Sequence, residues 1–251
     1  MKKVSYAITT HNEGDYFENL IGTLNNLLRF CAYEYEIVVV DDNSTDPKLL
    51  DVFNKNGALI KVHQHALNND FATHKNFLFD KCNGDYIFNL DADELPPERV
   101  VVNFPKIVDV NPAVDVYNVT RINTVHGLTQ RHVIEWGWQI SSLPTLIKEE
   151  QLNTESAYFE LLQKHDLIMH YAMGQGAVAR VKYMLPIVNW PDPQTRICKN
   201  SPNIRWQGKV HERLSGQGTI SQLPIAAEFA ILHHKTISRQ EQQNSFYMTI
   251  R

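Results

Sequence analysis

Two short acidic clusters carry the residues best suited to chemistry: Asp41-Asp42, with Asp46 close behind, and Asp91-Ala92-Asp93-Glu94. Each follows an apolar run, Ile37-Val38-Val39-Val40 in one case and Tyr86-Ile87-Phe88 with Leu90 in the other. Carboxylates at the end of a buried strand are hard oxygen donors suited to Mg²⁺ or Mn²⁺, and a cation held there can hold a diphosphate. A solvated acidic turn capping the next helix would account for either cluster alone. In parallel strands, however, both clusters fall on the carboxyl edge of one sheet, where α/β folds bind nucleotides.

The elements that must position these residues follow from periodicity. Val4 to Thr9 reads as a strand, and Asn12 with Asp15 as the cap of a helix whose Phe17, Leu20, Ile21, Leu24, Leu27 and Leu28 recur at helical spacing. A second strand covers Tyr35 to Val40. Pro47 opens a second helix, capped by Ser44 or Asp46. Ala58 to Val62 is a third strand, Phe71 to Phe79 a third helix, and Tyr86 to Leu90 a fourth strand. Continuous apolar strands alternating with helices predict an α/β fold with a doubly wound, mainly parallel sheet. Beyond it, Val100 to Val110 reads as a helix, Val114 to Ile122 as a strand and Thr154 to Gln163 as helical. Ile225 to Leu232 is the last apolar stretch, ending at His233.

Composition narrows the function. The 251 residues are 43% hydrophobic and 21% charged, enough for one full core, and the net charge of -4 offers no general attraction to nucleic acid or anionic lipid. Three scattered cysteines suggest neither a disulfide framework nor a zinc knuckle, and no apolar stretch is long enough to span a bilayer, so a cytoplasmic protein is expected. No Gly-x-Gly-x-x-Gly follows the first strand and no Walker-type Gly-Lys-Ser/Thr is present, so phosphates must be held by metal and side chains. From Arg180 to Arg213, seven basic residues face only Asp192 and Glu212, which predicts a local cationic surface able to meet a polyanionic acceptor.

Taken in order, these residues resemble the family 2 glycosyltransferases of GT-A fold. The matches are Thr9-Thr10-His11-Asn12-Glu13, Val38 to Asp46, His74-Lys75-Asn76 and Asp91-Ala92-Asp93, then Trp190 to Arg196, Trp206 to Glu212 and His233. The carboxyl block is similar to small members associated with bacteriophages and lipopolysaccharide assembly; for a phage-encoded member the compartment would be the host cytoplasm. The resemblance divides the chain into a nucleotide-sugar-binding half, residues 1–122, and an acceptor-side half, 123–251, with an inserted helical segment at about 140–185.

The resemblance implies metal-dependent, inverting transfer from a nucleotide sugar, most simply a UDP-sugar, to a hydroxyl of a glycan, a glycolipid or a modified nucleic acid. It assigns Asp91 and Asp93 to Mn²⁺ or Mg²⁺, with His211 as a further ligand and His233 as its competitor. Thr9, Glu13, Asp41, Lys75 and Asp91 fall to the nucleotide. Asp192 is the general base, with Glu135 and Glu212 in reserve. A nucleotidyltransferase is the alternative enzyme, although the loop after the first strand is neither Gly-rich nor basic. A non-catalytic nucleotide-sugar-binding module is the alternative outside enzymes.

Overall fold

The structure is a computed structural model that describes residues 2–141, 168–171, 180–183 and 187–250. Its centre is a sheet whose first four strands are parallel: β1 (Val4–Thr10), β2 (Tyr35–Asp41), β3 (Ile60–Gln64) and β4 (Tyr86–Asp91), in the order β3-β2-β1-β4. Alternate residues of the apolar runs feed two cores. Tyr6, Ile8, Ile37, Val39, Phe88 and Leu90 join one of them with α1 (Gly14–Leu28) and α2 (Pro47–Lys55). Ala7, Val38, Val40 and Ile87 join the other with α3 (Phe71–Lys81) and Trp206. Strands apolar on both faces are therefore covered on both faces, as a doubly wound sheet requires.

Past β4 the sheet becomes mixed. β5 (Glu94–Leu95) is followed by two short helices, α4 (Glu98–Val102) and α5 (Phe104–Val110), where the sequence predicts one. Asn103 breaks it and Pro105 restarts it, since proline is tolerated only in a first turn. Next come β6 (Val116–His126), α6 (Gln130–Trp136) and β7 (Ile140–Ser141). β8 (Ile168–Tyr171) and β9 (Arg180–Tyr183) form an antiparallel pair, while Thr154 to Gln163 lies outside the described residues.

β10 (Ile187–Lys199) runs antiparallel between β4 and β6. β11 (Arg205–Gln207) pairs with β12 (Arg213–Ser215), and β13 (Ile220–Gln222) adds to β6. β14 (Ile231–Thr236) lies parallel to β6 and antiparallel to β5. A last helix, α7 (Ile237–Thr249), closes the described chain. Periodicity does not announce it, because it buries no residue.

The loops at the carboxyl edge are built from the polar residues between strands. Asn12 does not cap α1. It adopts a left-handed backbone, and its side-chain oxygen accepts from the Thr45 and Asp46 N–H groups at 2.7 and 2.9 Å, joining the loops after β1 and β2. Asp46 caps α2 by accepting from Lys48 N at 2.9 Å and also receives Gly14 N at 2.9 Å. That approach requires glycine: a Cβ on Gly14 would stand 2.8 Å from Leu49 N, which is backbone and cannot yield.

Candidate active site

Register brings the two acidic clusters to one edge. Thr9 lies across from Asp91 on one side and Val40 on the other, and Thr10 lies across from Asp41. Above this edge opens a cavity of about 630 Å³. Its walls include Thr9, Glu13 and Asp42 from the β1 and β2 loops, and Lys75 from α3. Asp91 and Asp93 follow β4, with Arg121 on β6 and His233 on β14. His211 and Glu212 come from the loop between β11 and β12, and Arg239 from α7.

The two motif carboxylates are held differently. Asp91 accepts from Arg196 at 2.8 Å, with Lys75 Nζ 3.8 Å away. Burial pushes its pKa up, but Arg196, Lys75 and Arg121 outweigh that and keep the carboxyl well below the usual range. One Asp93 oxygen lies 3.3 Å from His233 Nε2 and 3.2 Å from Arg239. Burial again opposes ionisation, and His233 and Arg239 overcome it.

Glu13, paired with Arg239, is pushed up to about 7 by burial and by Asp93. Lys235 is lowered to about 8 by burial and by Arg121. These perturbed groups share one cavity, which marks the site physically.

Of the expected nucleotide residues, Thr9, Glu13, Lys75 and Asp91 all line the cavity. Lys75 is almost wholly buried, bonded to Glu212 at 2.5 Å and set over the Trp206 ring at 4.8 Å. Asp41 is fully buried and holds the Ser44 hydroxyl and N–H, so the residue of that cluster facing the cavity is Asp42.

The imidazole set against Asp93 is that of His233, whose Nδ1 meets Asn123 Oδ1 at 2.9 Å. His211 lines the cavity from a left-handed backbone, its ring edge-on to Tyr247. Asp192 pairs across the ladder with Arg121, and its carboxylate also accepts from Asn123 and Gln194 at 2.8 and 2.7 Å. Burial pushes Asp192 up, yet Arg121 and these donors bring it below the ordinary value. Glu135 is exposed on α6 and paired with Arg131.

The roles of three residues escaped the sequence reading. Arg196 is the extra residue of a bulge, since Thr195 pairs with Asn118 and Ile197 already with Tyr117. The bulge turns its guanidinium inward to bridge Asp91 and the fully buried Glu94. Arg121 joins Glu94 at 3.1 Å to Asp192 at 2.7 Å. Arg239 lies beyond the last recognisable motif.

Part of the expected cationic surface is drawn into ion pairs. Arg196 points into the protein, while Lys199 and Arg205 are each 3.0 Å from a carboxylate, of Asp115 and Asp80. Lys209 and Arg213, by contrast, are exposed.

Among the described residues no group of three or more His, Cys, Asp or Glu side chains forms a cation cage. Asp93 and His233 side by side, with Asp91 nearby, instead fit an ion that takes one or two protein ligands and completes its shell with phosphate and water. Carboxylate, phosphate and water oxygens suit Mg²⁺ or Mn²⁺. No helix among the described residues is long and apolar enough to cross a membrane.

Similar proteins place the chain. It is 33% identical over 112 residues to an undecaprenyl-phosphate 4-deoxy-4-formamido-L-arabinose transferase of Pseudomonas fluorescens, covering 42% of this chain and 31% of that protein. The protein of the same name from Yersinia pestis is 31% identical over 137 residues, covering 52% and 40%. The chain thus spans two fifths or less of these relatives' length.

Among solved structures, S. aureus TarS aligns over 97% of this chain and 38% of its own, at 15% identity and a TM-score of 0.47. A mannosyltransferase from Pyrobaculum calidifontis in complex with GDP-Man and Mn²⁺ aligns over 48% and 36%, at 21% identity and a TM-score of 0.40. The family assignment rests on sequence: the profile of Glycosyl transferase family 2 matches residues 5–183, well over half of the chain, which therefore belongs to that family.

Proposed function

We propose that the chain transfers a sugar from a nucleotide sugar to an acceptor, with a divalent cation and with inversion at the anomeric carbon. The observation that carries this reading is the meeting of Asp91 and Asp93 with Lys75, Arg121 and Arg239 in one cavity of nucleotide-sugar size. A cation held by Asp93 and His233 would neutralise the charge developing on the departing diphosphate. Lys75, Arg121 and Arg239 supply fixed positive charge on the same walls, already oriented before reaction. Thr9, Glu13 and Asp42 line the part next to the β1 and β2 loops and would receive the nucleoside, in our reading that of a UDP-sugar.

Asp192 is the one carboxylate that β10 carries, and we assign it the acceptor's proton. Arg121 engages it and keeps its carboxyl ionised, the form in which a base accepts a proton. A lipid-linked phosphate acceptor is supported by the relatives named for undecaprenyl phosphate; its anionic oxygen would attack without a base, whereas a hydroxyl acceptor would give its proton to Asp192.

The test is a panel of UDP-, GDP- and dTDP-linked sugars with Mn²⁺, measuring released nucleotide with and without polyprenyl phosphate. Release from one donor, raised by acceptor and abolished by chelator, is expected. No binding or turnover of any donor would overturn the reading.

A further inference from the structure

Helix α7 lies outside the span that matches the family profile, and it forms a cavity wall unlike the others. Arg239, Gln243 and Tyr247 make one row along it, and Gln240, Asn244 and Met248 the adjoining row, all lining the cavity. The i, i+4, i+8 spacing puts both rows on one helix face. Core packing does not account for them, because α7 has no buried residue. Beyond Arg239 the face is uncharged, whereas the other walls carry Asp91, Asp93, Lys75, Arg121 and Glu212.

The amides are held in place. Gln240 accepts from Lys235 Nζ at 2.8 Å and donates to Asn244 Oδ1 at 3.0 Å, and Gln243 Nε2 donates to the Tyr247 hydroxyl at 3.0 Å. Tyr247 is itself steadied by the rings of Phe71 and His211, 5.9 and 5.7 Å away.

A nucleotide sugar has two chemically distinct parts. Its diphosphate only accepts hydrogen bonds and is best met by guanidinium, ammonium or a cation. Its sugar is neutral, and each hydroxyl both donates and accepts, as a side-chain amide does. We infer that the Gln240, Gln243 and Asn244 face of α7 reads the hydroxyl pattern of the transferred sugar and sets which sugar is accepted. The inference rests on the nucleotide-sugar reading above and adds its specificity-determining element. A site that hydrogen-bonds a substrate hydroxyl discriminates strongly against an analogue that lacks or misplaces it, because the site's own polar groups are then left unpaired.

The experiment compares the parent with Gln243→Ala, Asn244→Ala and the double substitution. Calorimetry with Mn²⁺ measures each nucleotide alone and then its glucose, galactose, N-acetylglucosamine and mannose conjugates. Selectivity between the best and next-best sugar on one nucleotide should fall about tenfold in the double variant, while affinity for the nucleotide alone changes less than about twofold. Variants that keep the parent's selectivity, or a parent that binds nucleotide yet treats all sugars alike, overturn the inference alone. A parent that binds no nucleotide or nucleotide sugar overturns the glycosyltransferase reading with it.

Discussion

Asp93 has two positively polarised partners on one oxygen, His233 and Arg239, and both lie at the cavity. Its own methylene fills little of the core, so Asp93→Ala should fold normally. It should lose Mn²⁺-dependent nucleotide binding by about a hundred-fold, seen by calorimetry with and without chelator. Binding equal to the parent's and indifferent to chelator would remove the metal from this position. Asp192 presents a different problem, since four donor atoms already satisfy its carboxylate. If it is the base, Asp192→Asn should lower turnover about a hundred-fold with donor affinity unchanged. A fall in donor affinity with turnover intact would instead make Asp192 the residue that positions Arg121.

At the scale of elements, the amino-edge half of the sheet is tied together by one buried carboxylate. Glu36 on β2 accepts from Ser5 Oγ of β1 at 2.7 Å, Lys61 Nζ of β3 at 2.8 Å and Asn83 N before β4 at 2.6 Å. Burial pushes Glu36 up, but these three bonds prevail and hold it at about 2, below its ordinary 4.5. A folded-state pKa below the unfolded value stabilises fully above about 4.5 and is lost as pH falls through about 2. Glu36→Gln should therefore be less stable than the parent at pH 7 by about 3 kcal/mol, with the gap closing towards pH 2. Denaturant unfolding across that pH range checks it, and a gap independent of pH would show that packing rather than charge is lost. The neighbouring turn is equally constrained, because a Cβ on Gly84 would meet Ser5 N at 2.6 Å.

These elements also show what a sequence can disclose. β1, β2 and β4 were legible because both faces are buried, which writes a continuous apolar run, and the carboxylates ending β2 and β4 could be read from that context alone. Arg196 was not legible, since a one-residue bulge breaks the period by which a strand's faces are told apart. α7 was missed for the opposite reason. Its residues are mostly polar and none is buried, and only the Thr236 cap on Arg239 N marks its start.

The whole molecule is assembled around the cavity from segments far apart in the chain. α3 is stitched to the β11 region by paired bonds between the Asn76 amide and the Trp206 backbone, both 2.9 Å, by Phe71 N donating to Lys209 O at 3.0 Å, and by the Lys75–Glu212 pair. β14 and α7 then bring His233 and Arg239 to Asp93. A ligand filling the cavity touches all of these at once, so its binding energy adds to the unfolding energy of the whole. At a hundred times its dissociation constant a ligand stabilises by about 2.7 kcal/mol. For a chain of this size, that raises the melting temperature by roughly 5 to 10 °C. Nucleotide diphosphate with Mn²⁺ should give that shift in the parent by thermal unfolding. Lys75→Met keeps the aliphatic stem over Trp206 and removes the charge shared by Asp91 and Glu212, so it should lower the unliganded melting temperature and at least halve the ligand's shift at the same concentration. A full shift in that variant would mean the diphosphate is bound without Lys75, and an absent shift in the parent would mean the cavity does not bind nucleotide.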